Sequence, residues 1–410
     1  MKNNRTIYLI IVFFFIQGIF HNVGHPVTPA FVRNLEIADY MFGIFFATMS
    51  FGMMLGGPIW GIASDYGHRK LYIVIGLLLY SVGQLGFGYS GTALGMVIFR
   101  FISGFGVASS FTLMTSQIIE ESDPRQRTRN LAYAAAAVTL GASLGYGLGG
   151  FLSTNAFITE ILGTNDYRRI FLIQAILNSL YALSIAIWLK DSKKTAIKAT
   201  KASILGDFKN ISKVDPKLLI FLLSLMFINI GSVNLSKYID VYFDELGYNP
   251  EQLGIFVMAT GIVSLVATLL LVPIVAKFSK QLHTIAFIQV ASAAIVFYVF
   301  RAQAFLLVIY TVYMIYIVLR TLYQPLEQNY ISQHAKTGKL GSIMGIRQSF
   351  VSIGMVVGPV LGGFLYEWNP LRLFDFSAVA FLIAALLLGL IYLMDQKSKK
   401  NDTKSLTPNA

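Results

Sequence analysis

The chain contains twelve apolar segments, each long enough to cross a membrane as a helix. A membrane-spanning helix needs about 20 mostly apolar residues, and in lipid the backbone must satisfy its hydrogen bonds within the segment. The predicted spans cover residues 7–32, 40–62, 71–89, 93–119, 131–153, 168–189, 217–239, 252–275, 282–300, 303–330, 341–366 and 372–394. The sequence therefore predicts an all-α integral membrane protein.

The composition agrees with a membrane protein and argues against a soluble one. Charged residues make up 13% of the chain and hydrophobic residues 55%, whereas about a quarter of the residues in soluble domains are charged. The net charge of +12 arises mainly from Lys and Arg in short segments between apolar runs, where they set topology. We therefore expect the lipid bilayer as a partner and no nucleic acid. The chain has no cysteine, which excludes disulfides and thiolate metal sites.

A glycine-rich pattern occurs twice at a constant offset, once in span five and once in span eleven. The matching residues are Gly141, Gly145, Gly149 and Gly150 in the first copy, and Gly354, Gly358, Gly362 and Gly363 in the second, where Pro359 follows Gly358. Glycines at i, i+4 and i+8 lie on one helix face and permit close approach of another helix. A duplicated hydrophobic half is typical of secondary transporters, whose substrate site lies between the halves.

The repeat and the charges predict the domain organisation. We expect an N-terminal six-helix bundle over 1–189, a basic cytoplasmic linker over 190–216, a C-terminal six-helix bundle over 217–394 and a disordered cytoplasmic tail over 395–410. Lys and Arg concentrate in alternate loops. The positive-inside rule then places both termini in the cytoplasm of a multi-pass protein of the cell membrane.

These features resemble the major facilitator superfamily over nearly the whole chain. The loop between spans two and three is similar to the cytoplasmic signature of that family, although one residue is missing between Asp65 and Gly67. Its gate residues are Gly61, Asp65, Gly67, Arg69 and Lys70. The resemblance implies a latch in which Asp65 and Arg69 act with Arg125, Arg127 or Arg129, at a helix N-terminus that favours a carboxylate. A solvated tight turn is the alternative.

Spans four and five carry two more motifs that resemble the family. Arg100 and Gly104 match its Arg-bearing fourth helix. A charge at membrane depth costs at least ~2.5 kcal/mol, so Arg100 should face protein or water. Either an ion pair or carbonyl contact within the first half, or a role in proton coupling or substrate binding, is consistent with that. The span-five glycines resemble the motif of the family's antiporters, especially drug exporters, but Tyr146 replaces the usual proline.

Two histidines four residues apart share one face of the first span. His21 and His25, with Asn22 between them, are candidates for carrying a proton because the ordinary histidine pKa is about 6.5. Plain hydrogen bonding is the alternative. No nearby carboxylate or cysteine completes a metal site, so we expect no metal.

Glu327 is the carboxylate that the sequence places well inside a span. Arg320 lies two helical turns before it, about 10 Å away and too far for direct pairing, whereas Arg347 on span eleven is a possible partner. Glu327 either couples transport to protons or forms a fixed salt bridge. Lys237 and Asp240 are predicted near the outer end of span seven as a wet gate or a solvated pair.

Polar and aromatic residues on spans one, seven, ten and eleven are candidates for lining a cavity, because in the resembling family these helices border the central site. The candidates are Asn22, Asn229, Asn234, Tyr238, Tyr316, Arg320, Tyr323, Gln324, Arg347 and Phe350. An aromatic, weakly polar lining suits amphipathic or cationic organic compounds. Packing against lipid or protein is the alternative for each of them.

The resemblance implies a secondary transporter that exports an amphipathic, drug-like small molecule in exchange for protons. The sequence has no Gly-x-x-x-x-Gly-Lys-Ser/Thr loop, so an ion gradient is expected to drive transport. A nutrient or metabolite symporter or uniporter remains the alternative. A membrane-embedded enzyme is disfavoured because no His-Glu-x-x-His motif occurs. We expect no cofactor and a monomeric protein.

Overall fold

A computed structural model describes residues 4–65, 67–123, 126–191, 215–278, 281–334 and 340–405. All regular elements among these residues are helical. The helices are α1 (Asn4–Asn22), α2 (Thr28–Arg33), α3 (Tyr40–Asp65), α4 (Arg69–Tyr89), α5 (Ala93–Glu121), α6 (Arg127–Thr154), α7 (Ala156–Leu162), α8 (Tyr167–Trp188), α9 (Pro216–Glu245), α10 (Pro250–Val266), α11 (Val272–Phe278), α12 (Gln281–Val299), α13 (Phe305–His334), α14 (Leu340–Trp368) and α15 (Pro370–Ser405). Within the described ranges, twelve helices are long and apolar enough to cross a membrane, which confirms the predicted fold class.

Prolines explain where the helices depart from the predicted spans. The first span is interrupted: α1 ends at Asn22 and α2 begins only at Thr28, because Pro26 and Pro29 lack the amide hydrogens that a continuous helix needs. A π-helical turn, Ala267–Leu271, joins α10 to α11 just before Pro273. Such a turn accommodates a local break in the hydrogen-bond ladder.

The structure describes most of the predicted C-terminal tail but only a few residues of the predicted linker. The last helix continues to Ser405, so the disordered tail predicted from residue 395 is wrong for 395–405, where Lys and Gln are good helix formers that extend an existing helix. Residues 192–214 of the predicted linker and 406–410 of the tail lie outside the described residues.

Contacts divide the chain into two compact units. Unit 1 contains α1 to α8 together with Ser236–Leu265, which comprises the C-terminal part of α9 and nearly all of α10. Unit 2 contains the N-terminal part of α9 and the helices from α11 onward. The boundary falls inside α9, whereas the predicted halves 1–189 and 217–394 follow the sequence repeat.

The glycine motifs lie at close helix contacts within each unit. In unit 1, a Cβ at Gly141 or Gly145 would overlap a backbone carbonyl oxygen of α1, and one at Gly149 would overlap that of Val23, the residue directly after α1. In unit 2, a Cβ at Gly354 would lie 2.6 Å from the Met226 carbonyl oxygen of α9, and one at Gly358 would lie 3.0 Å from the Ile230 Cα. Each copy of the motif thus brings its helix against the first long helix of the corresponding repeat, α1 or α9.

Glycine also sets the spacing of the neighbouring helices in unit 1. A Cβ at Gly104 of α5 would overlap the Met49 carbonyl oxygen of α3. The other face of α6 contacts α10, where a Cβ at Gly150 would lie 2.5 Å from the Pro250 carbonyl oxygen, and one at Gly254 would lie 2.7 Å from the Tyr146 carbonyl oxygen. This second contact brings the C-terminal part of α9 close to α6.

Candidate functional site

The break after α1 is held in place by side chains from two other helices. The Tyr80 hydroxyl of α4 and the Gln174 amide of α8 both donate to the His21 carbonyl oxygen, at 3.0 and 2.6 Å. Asn178 donates to the Phe20 carbonyl oxygen at 3.2 Å. These bonds satisfy carbonyl groups that a helix end leaves without partners. The residues around the break therefore have a defined arrangement.

The two histidines at the break contact different tyrosines. His21 is buried, its ring stacks on Tyr80 with centroids 4.1 Å apart, and its Nε2 has no hydrogen-bond partner in the protein. His25 stacks on Tyr146 at 5.4 Å. Asn22 donates to the Gly18 carbonyl oxygen of its own helix at 2.8 Å. The histidine pair thus extends from the α4 side of the site to the α6 side.

Arg100 is buried in unit 1 with unused hydrogen-bond donors. Its side chain is 2% exposed, and its guanidinium carbon lies 3.8 Å from the centroid of the Phe87 ring. The Nε and Nη2 atoms donate to no protein atom. Tyr80 and Tyr146 are within electrostatic range of the cation. One sequence-based interpretation of Arg100 was an ion pair or a carbonyl contact within the first half. Neither Nε nor Nη2 makes such a contact.

Asp240 is a second carboxylate inside a span, and the sequence-based prediction of a solvated position is wrong. The residue is 3% exposed. Its Oδ2 accepts a hydrogen bond from the Tyr146 hydroxyl at 2.8 Å, and its Oδ1 has no partner. The error has a simple cause: α9 continues to Glu245, so Asp240 lies within the helix instead of at its end. One sequence signal could have pointed to this pair: Tyr146 stands where the resembling motif in span five usually has proline.

Lys237 lies one helical turn from Asp240 and is oriented toward an aromatic ring. Its Nζ is 5.3 Å from the centroid of Phe46, and it lies within electrostatic range of Asp240 and His25. Tyr238, a predicted cavity residue, is fully buried and contacts the same Phe46 ring edge to face.

Glu327 and Arg347 form a two-pronged salt bridge in unit 2. Arg347 donates from Nη2 to Oε2 at 3.1 Å and from Nε to Oε1. The Glu327 side chain is 3% exposed and that of Arg347 is 19% exposed. The buried Tyr323 phenol lies within electrostatic range of both partners. The Glu327–Arg347 pair, which the sequence analysis named as possible, therefore connects α13 to α14.

A polar stripe on α13 is exposed although it lies within a membrane span. Arg320, Gln324 and Gln328 are exposed, and their spacing of four residues places them on one face. A charged group in contact with lipid at this depth is costly, whereas one facing water inside the protein is not. This face of α13 is therefore suited to contact with water and not with lipid.

The other predicted cavity residues have varied surroundings. Tyr316 is buried and its hydroxyl has no hydrogen-bond partner. Asn234 is fully buried and neither of its amide atoms has a partner. Asn229 donates to the Leu225 carbonyl oxygen at 2.8 Å, and Phe350 is half-buried.

The predicted gate loop makes contacts that the sequence did not indicate. Gly67 has a φ of 101°, a conformation that favours glycine. Arg69, 2% exposed, donates two bonds to Glu120 at the end of α5, at 2.9 and 2.8 Å. The Lys70 ammonium donates to the Ala186 carbonyl oxygen of α8 at 3.1 Å. In the described residues Arg69 is thus held by a carboxylate of unit 1.

The rest of the predicted latch is only partly described. The Asp65 side chain and Arg125 lie outside what the structure describes, and Gly61 has only a Thr112 methyl group 4.0 Å from the position of an added Cβ. The Nε atom of Arg127 is buried without a hydrogen-bond partner.

Replacing Glu120 with Gln is expected to lower the free energy of unfolding by about 1–2 kcal/mol, because the buried Arg69 guanidinium loses its counter-charge. The effect stays in this range because Glu120 is itself exposed to solvent, which screens the pair. Thermal unfolding in detergent measures this change. Glu121→Gln, at the neighbouring position, is the control and should have a smaller effect. Equal stability of the Glu120 variant and the unchanged protein would contradict the assignment.

Comparison with known proteins agrees with this architecture. The Major Facilitator Superfamily model matches residues 26–343. "Multidrug resistance protein 1" of Bacillus subtilis (strain 168) is 26% identical over 93% of this chain and 95% of its own. "Quinolone resistance protein NorA" of Staphylococcus aureus is 23% identical over 89% of this chain and 90% of its own.

Solved structures show the same fold at low sequence identity. A bacterial homolog of the human lysosomal transporter Spinster, in an inward-facing and occupied conformation, has a TM-score of 0.77 at 14% identity and covers 95% of this chain and 97% of its own. A D-xylose-proton symporter has a TM-score of 0.72 at 15% identity, with the same coverage of both chains. With its twelve spans, duplicated glycine motif and family match over most of its length, this multi-pass plasma-membrane transporter belongs to the major facilitator superfamily.

Proposed function

We propose that the protein exports amphipathic, drug-like organic compounds in exchange for protons. Transport by alternating access, and not a chemical reaction, is the proposed activity. Relatives named for multidrug and quinolone resistance align over about nine-tenths of the chain or more, which supports export of such compounds. We also propose that the protein acts as a monomer with both termini in the cytoplasm, as its distribution of basic residues favours.

The observation that carries proton coupling is the buried carboxylate of Asp240. One carboxylate oxygen accepts the Tyr146 hydrogen bond, and the other has no partner. A carboxylate removed from water is stabilised in its neutral form, so an unpartnered oxygen is a favourable place for a proton. Lys237, one helical turn before Asp240, lies within electrostatic range of this carboxylate. Asp240 is thus a proton-binding candidate in unit 1.

Glu327, which forms the two-pronged salt bridge with Arg347, is the corresponding candidate in unit 2. His21, His25 and Arg100 remain candidates for assisting proton movement in unit 1. On α13, the exposed face with Arg320 and Gln324, near the aromatic Tyr316 and Tyr323, supports a wet, aromatic substrate cavity.

The proposal is tested with purified protein in liposomes that contain a pH-sensitive dye. A lipophilic cation, a neutral aromatic compound, an aromatic zwitterion and D-xylose are added in turn, and internal pH is followed. Amphipathic compounds are expected to move protons, and xylose is not. Proton movement with xylose alone would instead support the nutrient symporter that Tyr146 in the first glycine motif leaves open.

Replacing Asp240 with Asn is expected to lower substrate-dependent proton flux by about tenfold or more, because Asn keeps the Tyr146 hydrogen bond but binds no proton at this depth. Asp244→Asn, four residues later on the same helix, is the matched control: Asp244 is about a quarter exposed and pairs with Arg33 at 2.9 Å. Undiminished flux in the Asp240 variant would contradict the proposed role.

A further inference from the structure

One face of the last helix, α15, is exposed along its membrane span. The span covers Pro370–Gln396, and its exposed aliphatic side chains recur at intervals of three or four residues. They are Val379, Leu382, Leu386, Leu390 and Leu393, each between 42% and 73% exposed. Residues at this spacing share one helix face. This aliphatic row is therefore the face of α15 that contacts lipid.

The same face continues into lysines beyond the span. α15 remains helical to Ser405, and Lys397, Lys400 and Lys404 follow Leu393 at intervals of four, three and four residues. With 3.6 residues per turn, these three positions fall within about 40° of Leu386 around the helix axis, as the aliphatic row does. We call Lys397, Lys400 and Lys404 the lysine stripe.

The acidic residues of this segment occupy the opposite side of the helix. Asp395 identifies that side, because its carboxylate accepts a hydrogen bond from the Lys217 ammonium of α9 at 2.5 Å. Position 402, also an aspartate, lies on the same side seven residues later, and Lys399 lies close to it by register. The helix register thus separates both aspartates from the lysine stripe.

The lysine stripe lies at the depth of the lipid headgroups and just beyond it. At 1.5 Å per residue, Lys397 lies about 6 Å, Lys400 about 10 Å and Lys404 about 16 Å past Leu393. The headgroup layer on each side of a bilayer is about 5–8 Å thick, and a lysine side chain can extend several ångströms along a helix toward it. Basic residues at this position attract the negative charge of anionic lipids.

We propose that the lysine stripe binds the phosphate headgroups of anionic phospholipids in the leaflet where α15 leaves the membrane. The acyl chain of the same lipid packs along the aliphatic row, so that one molecule contacts both parts of the face. This inference goes beyond the proposed function and is independent of the substrate and of proton coupling.

The test measures which lipid collects beside the stripe. Because the chain has no cysteine, Leu393→Cys gives a single site for a fluorescent donor. The full chain is reconstituted in phosphatidylcholine vesicles with a trace of acceptor-labelled lipid, either phosphatidylglycerol or phosphatidylcholine, with the label on the acyl chain. Energy transfer should show phosphatidylglycerol enriched at least about tenfold, since each lysine contributes up to about fivefold. High salt should remove most of the enrichment.

Lysine variants make the result specific to the stripe. Lys397→Gln, Lys400→Gln and Lys404→Gln together should abolish the enrichment, and Lys400→Gln alone should lower it about three- to fivefold. Lys399→Gln, which removes the same charge on the opposite side, is the matched control and should retain it. Ser398→Lys combined with Lys400→Ser keeps the net charge but moves one lysine off the stripe, and should match Lys400→Gln.

Three outcomes would overturn the inference. The unchanged chain may be surrounded equally by both lipids, the triple variant may keep the enrichment, or Lys399→Gln may lose as much of it as Lys400→Gln. The last result would reduce the lysines to a topology signal that depends on net charge alone. Each outcome leaves the proposed proton-coupled export to be decided by the liposome flux experiment.

Discussion

Replacing Glu327 with Gln is expected to abolish substrate-dependent proton movement while leaving substrate binding within about threefold. Gln has nearly the same size and retains one hydrogen bond to Arg347, but it cannot take up and release a proton in the membrane. The measurement is internal pH in liposomes during addition of an amphipathic substrate. Asp375→Asn, which neutralises a more exposed carboxylate of unit 2 that pairs with Arg301, is the control and should retain coupling.

The double variant Glu327→Gln with Arg347→Gln separates coupling from a fixed salt bridge. Removing one partner of a buried pair is costly, by about 3–5 kcal/mol, whereas replacing both partners is often close to neutral. If the pair only stabilises unit 2, the double variant recovers both thermal stability and coupled transport. If Glu327 carries the proton, stability recovers and coupling does not. Coupled transport in the double variant would therefore refute the proposed role of Glu327.

Replacing Gly149 with Ala is expected to destabilise the protein by about 1–3 kcal/mol, because the new methyl group overpacks the α1–α6 contact. The added Cβ would overlap the Val23 carbonyl oxygen and lie 2.9 Å from the Pro26 ring. Both are backbone or ring atoms beside the break after α1, which Tyr80 and Gln174 hold fixed, so neither can easily move away. Thermal unfolding in detergent, followed by tryptophan fluorescence, measures the change.

Gly389→Ala is the matched control for this substitution. Gly389 also lies in a helix, but no atom lies within 4 Å of an added Cβ. Alanine favours helix by about 1 kcal/mol over glycine, so this variant should be as stable as the unchanged protein or more so. Equal behaviour of the Gly149 and Gly389 variants would contradict the assignment of Gly149 to a close helix contact.

Local sequence was sufficient to predict the spans and the faces on which helices approach. The length of an apolar segment indicates whether it can cross the bilayer. Glycine at every fourth position identifies the helix face that another helix can approach closely. For the same reason, Glu327 was recognised as an unusual charge: its depth follows from its own helix. The break in span one was not predicted, because prolines in membrane helices are often accommodated by neighbouring groups.

The partners of the polar groups depend on distances between helices far apart in sequence. Asp240 and Tyr146 lie on α9 and α6, Arg69 binds Glu120 of α5, and nothing in either local sequence specifies these pairs. The sequence by itself determined a twelve-helix membrane protein with duplicated glycine contacts. The lipid solvent sets the length and apolar character of the spans, and helical periodicity places the glycines on one face. Only the tertiary structure decided which buried charges are paired and that Arg100 keeps two free donors, because hydrogen bonding is directional and acts over a few ångströms.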